Sequence, residues 1–557
     1  IVLSALVLFG WSFVSERFFP TAAPQSVKVE NGKAKPLPQL PTSAAAPQQL
    51  RSRAMVISST PRVRLQTSSV SGSINLKGAR IDDLVMLKHR STVDANSAPI
   101  PLLSPQGARA ASFVAFGWAG DGIATPGPDT IWQASSPTLS PGKPVTLSWS
   151  NPTGLRFELN IAVDDLYLFT VTQKVTNASG APVTLQPYGF ASRAGRSVNV
   201  SSPTIHVGPI SVRNNVADYD VDWGTIREAG PNGKGFEPST GWIGFTDAYW
   251  LTALAPKGQM TPTFRHSPSG GYQADFAAQP VTIAPGQTAA TETRVFAGAK
   301  EKAALDRYEE LGITRLSKSI DWGWFEWFMR PIFNLLNWLF AVTGNFGIAI
   351  ICLTFIVRLL MFPIADKQFK SMAAMRKIQP KMKAVQERFK DDKPRQQQEI
   401  MQLYKTEKIN PAAGCLPILL QIPIFYALYK VLLVSVEMRH QPFALWVRDL
   451  SAPDPMTPVN LFGLLDFTPP SLLAIGVLPI LVGATQWLTF KLSPQAMDPA
   501  QQQIFALMPW LMIFIFAPFA AGLQLYYVTN NLLTVAQQWW LYKRYDMHLK
   551  DTHPVAT

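Results

Sequence analysis

The sequence predicts a polytopic α-helical membrane protein that carries a large β-sandwich domain outside the membrane. Three observations lead to this fold class. Up to about residue 319 the chain is polar and rich in Pro, Ser, Gly and Thr. After that point, long apolar runs follow one another, and each approaches the roughly 20 residues needed to cross a bilayer. Short basic segments separate these runs, as in the loops of membrane proteins.

The N-terminal part is interpreted as an anchor and a linker. Residues 1–19 begin with the apolar run IVLSALVLFGWSFV, which is not followed directly by a small-residue cleavage site. This favours a retained transmembrane anchor over a secretory signal peptide. Residues 20–59 are rich in Pro, Ala and Gln without a hydrophobic period, which is typical of a linker.

Residues 60–300 show the pattern of a β-sandwich. Short alternating segments such as VTLSW (145–149) and LYLFTV (166–171) are separated by turn signals such as NASG (177–180). We find no acid/base pair, nucleophile motif, glycine-rich phosphate loop or metal-ligand spacing, and the chain has only two cysteines. The domain is therefore predicted to bind or to scaffold, without catalytic residues, metal or cofactor.

The C-terminal part is predicted to contain an interfacial helix and five spans. The aromatic run WGWFEWF within 320–335 predicts an amphipathic helix on the membrane surface, where tryptophan is favoured. The other predicted segments are transmembrane segments TM2 (344–363), TM3 (414–436), TM4 (471–491), TM5 (504–520) and TM6 (522–542), an outer segment (437–470), a cytoplasmic helical hairpin loop (364–412), a cytoplasmic loop (492–503) and a tail (543–557).

The distribution of charge predicts the topology. The formal net charge is +13, and twelve Lys and Arg lie within 364–412. Because basic loops stay in the cytoplasm, this hairpin is placed inside. The β-sandwich and 437–470 then lie outside, the tail lies inside, and the topology closes with six spans. A nucleic-acid site is the alternative, but the charges crowd next to apolar spans, so direct reading of nucleic acid is not expected.

Arg358 is the outlier among the spans. It lies in the apolar run IAIICLTFIVRLLMF (348–362), where an Arg at mid-membrane costs roughly 2.5–3.5 kcal/mol. It therefore needs a wet cavity, a polar partner or a route to the surface. The cytoplasmic end of the helix is only about five residues away, so a side chain that snorkels to the interface is an equal alternative on this evidence alone.

Polar side chains on other spans favour the cavity. They are Tyr526, Asn530, Thr534 and Gln538 at every fourth position of TM6, with Thr354 one turn from Arg358, Gln421 in TM3, and Thr485 and Thr489 in TM4. Such groups can merely hold helices together, yet a stripe beside a charge predicts a shared polar groove. Lys430 and Glu437 are expected to reach the outer interface. In the basic hairpin, Met375 and Met382 lie on an apolar helical face suited to varied partners.

Three stretches of the chain carry recognisable motifs: TFIVRLLMFP (354–363), SMAAMRKIQPKMKAVQERFKDDKPRQQQEIMQLYKTEKINPAAGCLPILLQIPIFYALYK (371–430) and GLQLYYVTNNLLTVAQQWWL (522–541). They closely resemble bacterial members of the YidC/Oxa/Alb insertase family, and YKVLLVSVEMRH (429–440) resembles the alphaproteobacterial type. The resemblance is strong from about 324 to 542. It is weaker over the β-sandwich, whose place and size match the periplasmic domain of such proteins.

The resemblance implies a function and a site. It implies a five-helix core around a positively charged hydrophilic groove, in a bacterial inner-membrane insertase and chaperone that works alone or with the Sec translocon. Groove positions then fall on Arg358, Thr354, Gln421, Phe425, Tyr526 and Tyr527, beside Thr485, Asn530 and Thr534 from the polar pattern.

Partners and alternatives follow from the same comparison. The resemblance implies nascent membrane proteins as substrates, contact with membrane lipids, and contact of the hairpin around Asp391, Met375 and Met382 with a ribosome or the signal recognition particle receptor. The short tail after 542 is not strongly basic, which argues against tethering of a ribosome by the tail. A secondary transporter of a small anion and a purely structural scaffold are the alternatives.

Overall fold

The computed structural model describes residues 50–544 except 95, 197–204, 268–269, 408–415, 466, 468–469, 471–473 and 493–498, together with two short strands nearer the N-terminus. The predicted anchor, most of the linker and nearly all of the tail lie outside the described residues. The chain divides into two units, Ile1–Thr42 and Ser43–Thr557. In the first unit, strands β1 (Val29–Glu30) and β2 (Lys33–Ala34) pair antiparallel.

Two large sheets, almost wholly antiparallel, form the β-domain, as predicted for 60–300. The first sheet has, from edge to edge, β15 (Val216–Asp218), β14 (Gly208–Arg213), β17 (Gly241–Thr246), β18 (Trp250–Pro256), β22 (Thr288–Ala299), β12 (Leu168–Asn177), β11 (Leu155–Val163), β10 (Val145–Ser150) and β8 (Gln133–Ala134). The second has β16 (Lys234–Gly235), β19 (Met260–His266), β20 (Tyr272–Ala278), β13 (Val183–Arg193), β7 (Ser112–Ala119), β5 (Arg80–Arg90), β4 (Val70–Asn75), β3 (Arg62–Gln66) and β9 (Thr138–Leu139), with β6 (Pro99–Leu103) beside β5 and β21 (Val281–Ile283) beside β13.

The two sheets pack face to face around one apolar core. Along β11, every second residue is buried, which is the period expected of a strand with one face on a core. Aromatic rings join the sheets: Trp118 of β7 lies 5.1 Å from Phe157 of β11, and Phe264 of β19 lies 6.3 Å from Phe245 of β17, measured between ring centroids. The core of the domain is thus built from the inward faces of both sheets.

The predicted linker is not structureless throughout. Helix α1 (Arg53–Ser58) lies within 20–59, begins at the N-cap Ser52 and buries Val56. Arg53 forms an ion pair with Asp83 of the second sheet. A single apolar contact and one ion pair therefore fix the end of this segment, and neither produces a periodic signal in the sequence. The shorter helices α2 (Trp223–Ala229) and α3 (Lys302–Glu310) belong to the β-domain and its C-terminal end.

The C-terminal part is helical. Its elements are α4 (Glu326–Thr343), α5 (Phe346–Arg388), α6 (Lys393–Thr406), α7 (Leu416–Val434), α8 (Val477–Leu492), α9 (Pro499–Phe516) and α10 (Ala521–Arg544). Within the described residues, one helix is long and apolar enough to cross a membrane, at Phe346–Gln368, and three shorter apolar stretches lie in α7, α8 and α9. The number of six spans therefore stays a prediction.

Helix α5 differs from the predicted boundaries. It continues for 43 residues from the span into the first arm of the hairpin, without the break expected at 363. Asn345 begins it by accepting the backbone N–H groups of Gly347 and Ile348 on its side-chain oxygen. Pro363 lies inside the helix. Proline removes one backbone hydrogen bond, and the helix continues on both sides of it. The helix that corresponds to the predicted TM4 is α8, which begins at 477 and not at 471.

The segment 320–335, predicted as an interfacial helix, overlaps the helix α4 at 326–343. Helix α4 contains Pro331. Trp322 precedes the helix and is buried, with its ring centroid 5.2 Å from that of Phe333. The side chains of Trp324, Trp327 and Trp338 are exposed.

The β-domain is attached to the helices at more than its covalent link. At the start of α3, the backbone N–H of Lys302 donates to Oε1 of Glu437 at 2.8 Å. Arg439 Nη1 donates to the carbonyl of Arg90 at 2.8 Å, and its guanidinium lies 5.7 Å from the ring centroid of Trp250. We call this the 437–439 contact. Burial raises the pKa of Glu437, although the bond from Lys302 opposes the rise.

Candidate functional site

The described structure brings Arg358 into a polar cluster between α5 and α10. Its Nε donates to Oδ1 of Asn530 at 2.8 Å, and Nη2 donates to the carbonyl of Asn530 at 3.3 Å and to the hydroxyl of Thr534. The side chain is half-buried. No carboxylate lies within ion-pair distance of it among the described residues. Neutral groups therefore accept the hydrogen bonds of Nε and Nη2, and no described carboxylate compensates the charge.

The spacing of the sequence explains why Asn530 and Thr534 meet this arginine. Residues four apart share a face of a helix, and Thr534 Oγ1 donates to the carbonyl of Asn530 at 2.6 Å. This carbonyl accepts both the hydroxyl and the guanidinium. The guanidinium reaches sideways to α10, which favours the predicted polar site over a side chain that snorkels to the surface.

A second polar contact joins α7 to α10. Gln421 Nε2 donates to the hydroxyl of Tyr526 at 2.6 Å, and Tyr526 is fully buried. Next to it, the ring of Tyr527 lies perpendicular to Phe425 at 6.3 Å between centroids and 4.6 Å from Phe516. The cluster thus has one polar wall on α5 and α10 and one aromatic wall on α7, α9 and α10.

Three threonines of the predicted polar pattern are buried and donate hydrogen bonds within their own helices. Thr354 is fully buried, and its hydroxyl donates to the carbonyl of Ile350 on its own helix at 2.6 Å. Thr485 and Thr489 donate in the same way to carbonyls one turn back on α8.

Several polar residues of the site region were not identified from the sequence. Asn531 Nδ2 donates to Thr485 Oγ1 at 3.1 Å and joins α10 to α8. Gln524 Nε2 donates to the carbonyls of Phe516 and Phe519 at 2.9 and 2.7 Å, which satisfies the end of α9. Both residues lie off the four-residue stripe, so that pattern could not find them. Their amide side chains within an apolar helix were the available signal.

Lys430 is a second charged residue that the structure buries in the helical part. It was predicted to reach the outer interface, and its side chain lies within the protein, near the C-terminal end of α7. Its Nζ lies 3.5 Å from Oδ2 of Asp321, the residue that precedes Trp322. The sequence could not show this pairing, because the two residues are 109 positions apart and the carboxylate comes from outside the predicted spans.

The hairpin places its three predicted contact residues differently. Asp391 is exposed at the turn between α5 and α6. Met382 is half-buried and accepts a hydrogen bond from the hydroxyl of Tyr404 at 3.2 Å, so part of its surface faces the other arm. The side chain of Met375 lies outside the described residues. In the part of the chain that the structure describes, no group of His, Cys, Asp and Glu could hold a metal ion.

Comparisons with known proteins cover almost the whole chain. A family model described as "60Kd inner membrane protein" matches residues 338–548, and one described as "YidC periplasmic domain" matches residues 62–335. A protein of Zymomonas mobilis named membrane protein insertase YidC is 48% identical over 98% of this chain and 94% of its own length. Its namesake in Beijerinckia indica is 43% identical over 97% of this chain and 94% of its own length.

A solved structure is similar at a lower level. It is a crystal structure described as an active YidC insertase with the first transmembrane domain resolved, and it covers 86% of this chain and 92% of its own. The sequence identity is 20% and the TM-score is 0.37. This value is too low for any argument about geometry.

Proposed function

Because this chain belongs to the YidC family of membrane protein insertases, we propose that it inserts its clients through the polar cluster around Arg358. It is an insertase of the bacterial inner membrane with a periplasmic domain, and it is not an enzyme. Insertases of this family act on nascent membrane proteins. The uncompensated charge of Arg358, held by the neutral groups of Asn530 and Thr534, is the observation that carries the proposal.

The proposed mechanism is physical. A polar, positively charged groove lowers the free energy needed to bring the hydrophilic flank of a client part-way into the membrane. The apolar span of the client then moves sideways into lipid, where burial of its apolar surface provides the driving force. The hydroxyl and amide groups of Tyr526 and Gln421 can exchange their mutual bond for bonds to the client's backbone.

The proposal also covers partners and the alternative function. We place contact with a ribosome or the signal recognition particle receptor at the hairpin of α5 and α6, around Asp391, Met375 and Met382, and cooperation with the Sec translocon and lipids along the helices. A secondary transporter of a small anion gains no support from the relatives, which are named insertases.

Reconstitution tests the function directly. The purified protein in liposomes is expected to insert a small single-span client, whereas protein-free liposomes should insert much less. Insertion is measured as protease protection of the translocated segment. A reconstituted protein that accumulates a small anion but leaves client insertion at the protein-free level would contradict the proposal.

The topology can be tested with cysteine labelling. With Cys352 and Cys415 changed to serine, a cysteine placed at Lys390, between α5 and α6, should be shielded from a membrane-impermeant thiol reagent in spheroplasts. A cysteine placed at Asp94, exposed in the β-domain, should react quickly and serves as the control. Rapid labelling at 390 would place the hairpin outside and overturn the proposed orientation.

Removal of the β-domain tests where the activity lies. A deletion of about 60–290 should leave much of the insertion activity, because the cluster around Arg358 draws on α5, α7, α9 and α10, which all follow the deleted residues. The deletion retains α3, α4 and the bond between Lys302 and Glu437. Complete loss of insertion, with the shortened protein present at normal levels in the membrane, would give the domain a primary role.

A further inference from the structure

The C-terminal ends of α8 and α10 carry tryptophan–cation pairs. Lys491 Nζ lies 4.7 Å from the ring centroid of Trp487, and Lys543 Nζ lies 3.9 Å from that of Trp539. In both pairs the cation follows the tryptophan by four residues, so it lies one turn nearer the end of the helix. The two tryptophans are 49% and 51% exposed, respectively.

Two contacts show that α8 and α10 run parallel. Asn531 bonds Thr485, and eleven residues further along α10 the hydroxyl of Tyr542 donates to the carbonyl of Leu492 at 2.6 Å. Both contact positions advance in the same direction along the two helices. Leu492 and Tyr542 therefore mark the line where the two helices touch at their ends.

Helix geometry then places the two lysines on the same side of this line. Each residue turns about 100° clockwise when a right-handed helix is viewed from its N-terminus. Lys491 comes one residue before the contact residue of α8, and Lys543 comes one residue after the contact residue of α10. Leu492 and Tyr542 face each other across the line of contact, so one step back on α8 and one step forward on α10 turn towards the same side. Lys491 and Lys543 therefore lie on that side, and Trp487 and Trp539 lie there one turn earlier in their helices.

A second tryptophan–cation pair on α10, Trp540 and Arg544, faces a different helix, as the same geometry predicts. Trp540 and Arg544 lie two residues from Tyr542, which is about half a turn away. They contact α5: the ring centroid of Trp540 lies 5.5 Å from that of Phe362, and Arg544 lies 3.6 Å from Asp366. Arg544 is thus neutralised. Lys491 and Lys543 have no carboxylate within 4 Å among the described residues.

We propose that Lys491 and Lys543, with Trp487 and Trp539, bind the headgroup of an anionic phospholipid. Two ammonium groups on one side of a helix pair, with no described carboxylate within 4 Å, attract the phosphate and the net negative charge of such a lipid. The exposed indole rings lie one turn deeper, where their apolar faces meet the glycerol and upper acyl region. In the proposed topology this site is in the cytoplasmic leaflet. It is separate from the cluster around Arg358 and takes lipid, not client.

The test measures lipid binding by the full-length protein. Phosphatidylglycerol, or phosphatidylcholine with the same acyl chains, is titrated into the detergent-solubilised protein, and bound lipids are counted by native mass spectrometry. The double variant Lys491→Gln/Lys543→Gln should bind the first phosphatidylglycerol roughly ten-fold more weakly or worse, because each lysine near an anionic lipid contributes a factor of about five. Phosphatidylcholine binding should not change.

The control removes the same charge from the exposed face of α6. The double variant Lys393→Gln/Lys405→Gln should bind phosphatidylglycerol as the unmodified protein does. Unchanged affinity in the 491/543 variant would overturn the proposal, as would an equal loss in the control, which would show a general effect of charge. Displacement of the bound lipid by a single-stranded oligonucleotide at similar concentration would assign the two lysines to nucleic acid and also overturn it.

Discussion

Replacing Arg358 with alanine is expected to slow the insertion of clients with acidic outer segments by roughly ten-fold or more, since a charge in surroundings of intermediate dielectric contributes a few kcal/mol. Clients with neutral segments should be affected much less. The substitution removes the positive charge and also takes a donor from Asn530 Oδ1. The hydroxyl of Thr534 keeps its bond to the carbonyl of Asn530, so the helix itself remains satisfied.

Comparison with lysine separates charge from geometry. Arg358→Lys should retain most of the activity, because a wet groove mainly needs a positive potential, although lysine cannot reproduce the forked contact with Asn530 and Thr534. Arg544→Ala, which removes a charge that is already paired with Asp366, is the control and should insert both kinds of client normally. Equal rates for acidic and neutral clients in Arg358→Ala, measured in liposomes, would remove this charge from the mechanism.

Replacing Lys300 with methionine is expected to stabilise the β-domain by about 2 kcal/mol near pH 7, where the cost of a buried ammonium is largest. Lys300 is 1% exposed, and its Nζ donates to Thr246 Oγ1 at 3.2 Å and to the carbonyl of Ser319 at 3.1 Å. This burial lowers its pKa to about 7. Methionine has a similar length and needs no hydrogen bonds, so the cavity stays filled.

Nearby carboxylates do not lose their partners in this variant. Asp321 still accepts the backbone N–H of His206 at 3.0 Å and lies 3.5 Å from Lys430. Asp247 keeps its ion pair with Arg193 at 3.0 Å. The substitution therefore removes the cost of burying the charge without creating an unpaired carboxylate.

The dependence on pH gives a sharper test. In the unmodified protein the unfolded lysine binds a proton more tightly than the folded one, so the penalty is fully present below pH 7. It falls as the pH rises from about 7 towards the ordinary lysine value, and stability rises over that window. Lys300→Met should lose this part of the slope, as measured by thermal unfolding of the full chain in detergent between pH 7 and 10. Lys302→Met, at an exposed lysine paired with Asp306, should keep it.

The fold could be predicted where apolar residues recur at the spacing of an element that buries one face in a core. The alternation along β11 gave strands, and the apolar run of α5 gave a span. The predicted ends of helices were wrong where the helix continued past a local signal such as a proline. Pro331 and Pro363 both lie inside helices, because the surrounding residues continue the helix on either side of the missing hydrogen bond. The order of strands within the two sheets depends on long-range pairing, which no local pattern reports.

The site was predictable for residues that break an apolar pattern at a regular spacing. Arg358, Asn530 and Thr534 meet as the stripe on α10 suggested. The sequence could not distinguish these from Thr354, whose hydroxyl is satisfied within its own helix. Nor could it show that Lys430 is buried beside Asp321, because the carboxylate lies in a connecting segment. The sequence shows which polar and charged side chains the helices carry. Their partners depend on how helices from distant parts of the chain pack, which the sequence pattern does not show.

The 437–439 contact limits how the periplasmic domain can move. A body held at one point swings in any direction, whereas a body held at two separated points keeps one rotation, about the line that joins them. The chain through α3 and α4, with the bond of Glu437 to Lys302, provides the first point of attachment, and the bond of Arg439 to the carbonyl of Arg90 in β5 provides the second. Rotation of the domain about this axis pulls on the C-terminal end of α7, the helix that carries Gln421 and Phe425. A force on the β-domain thus reaches a helix of the candidate site.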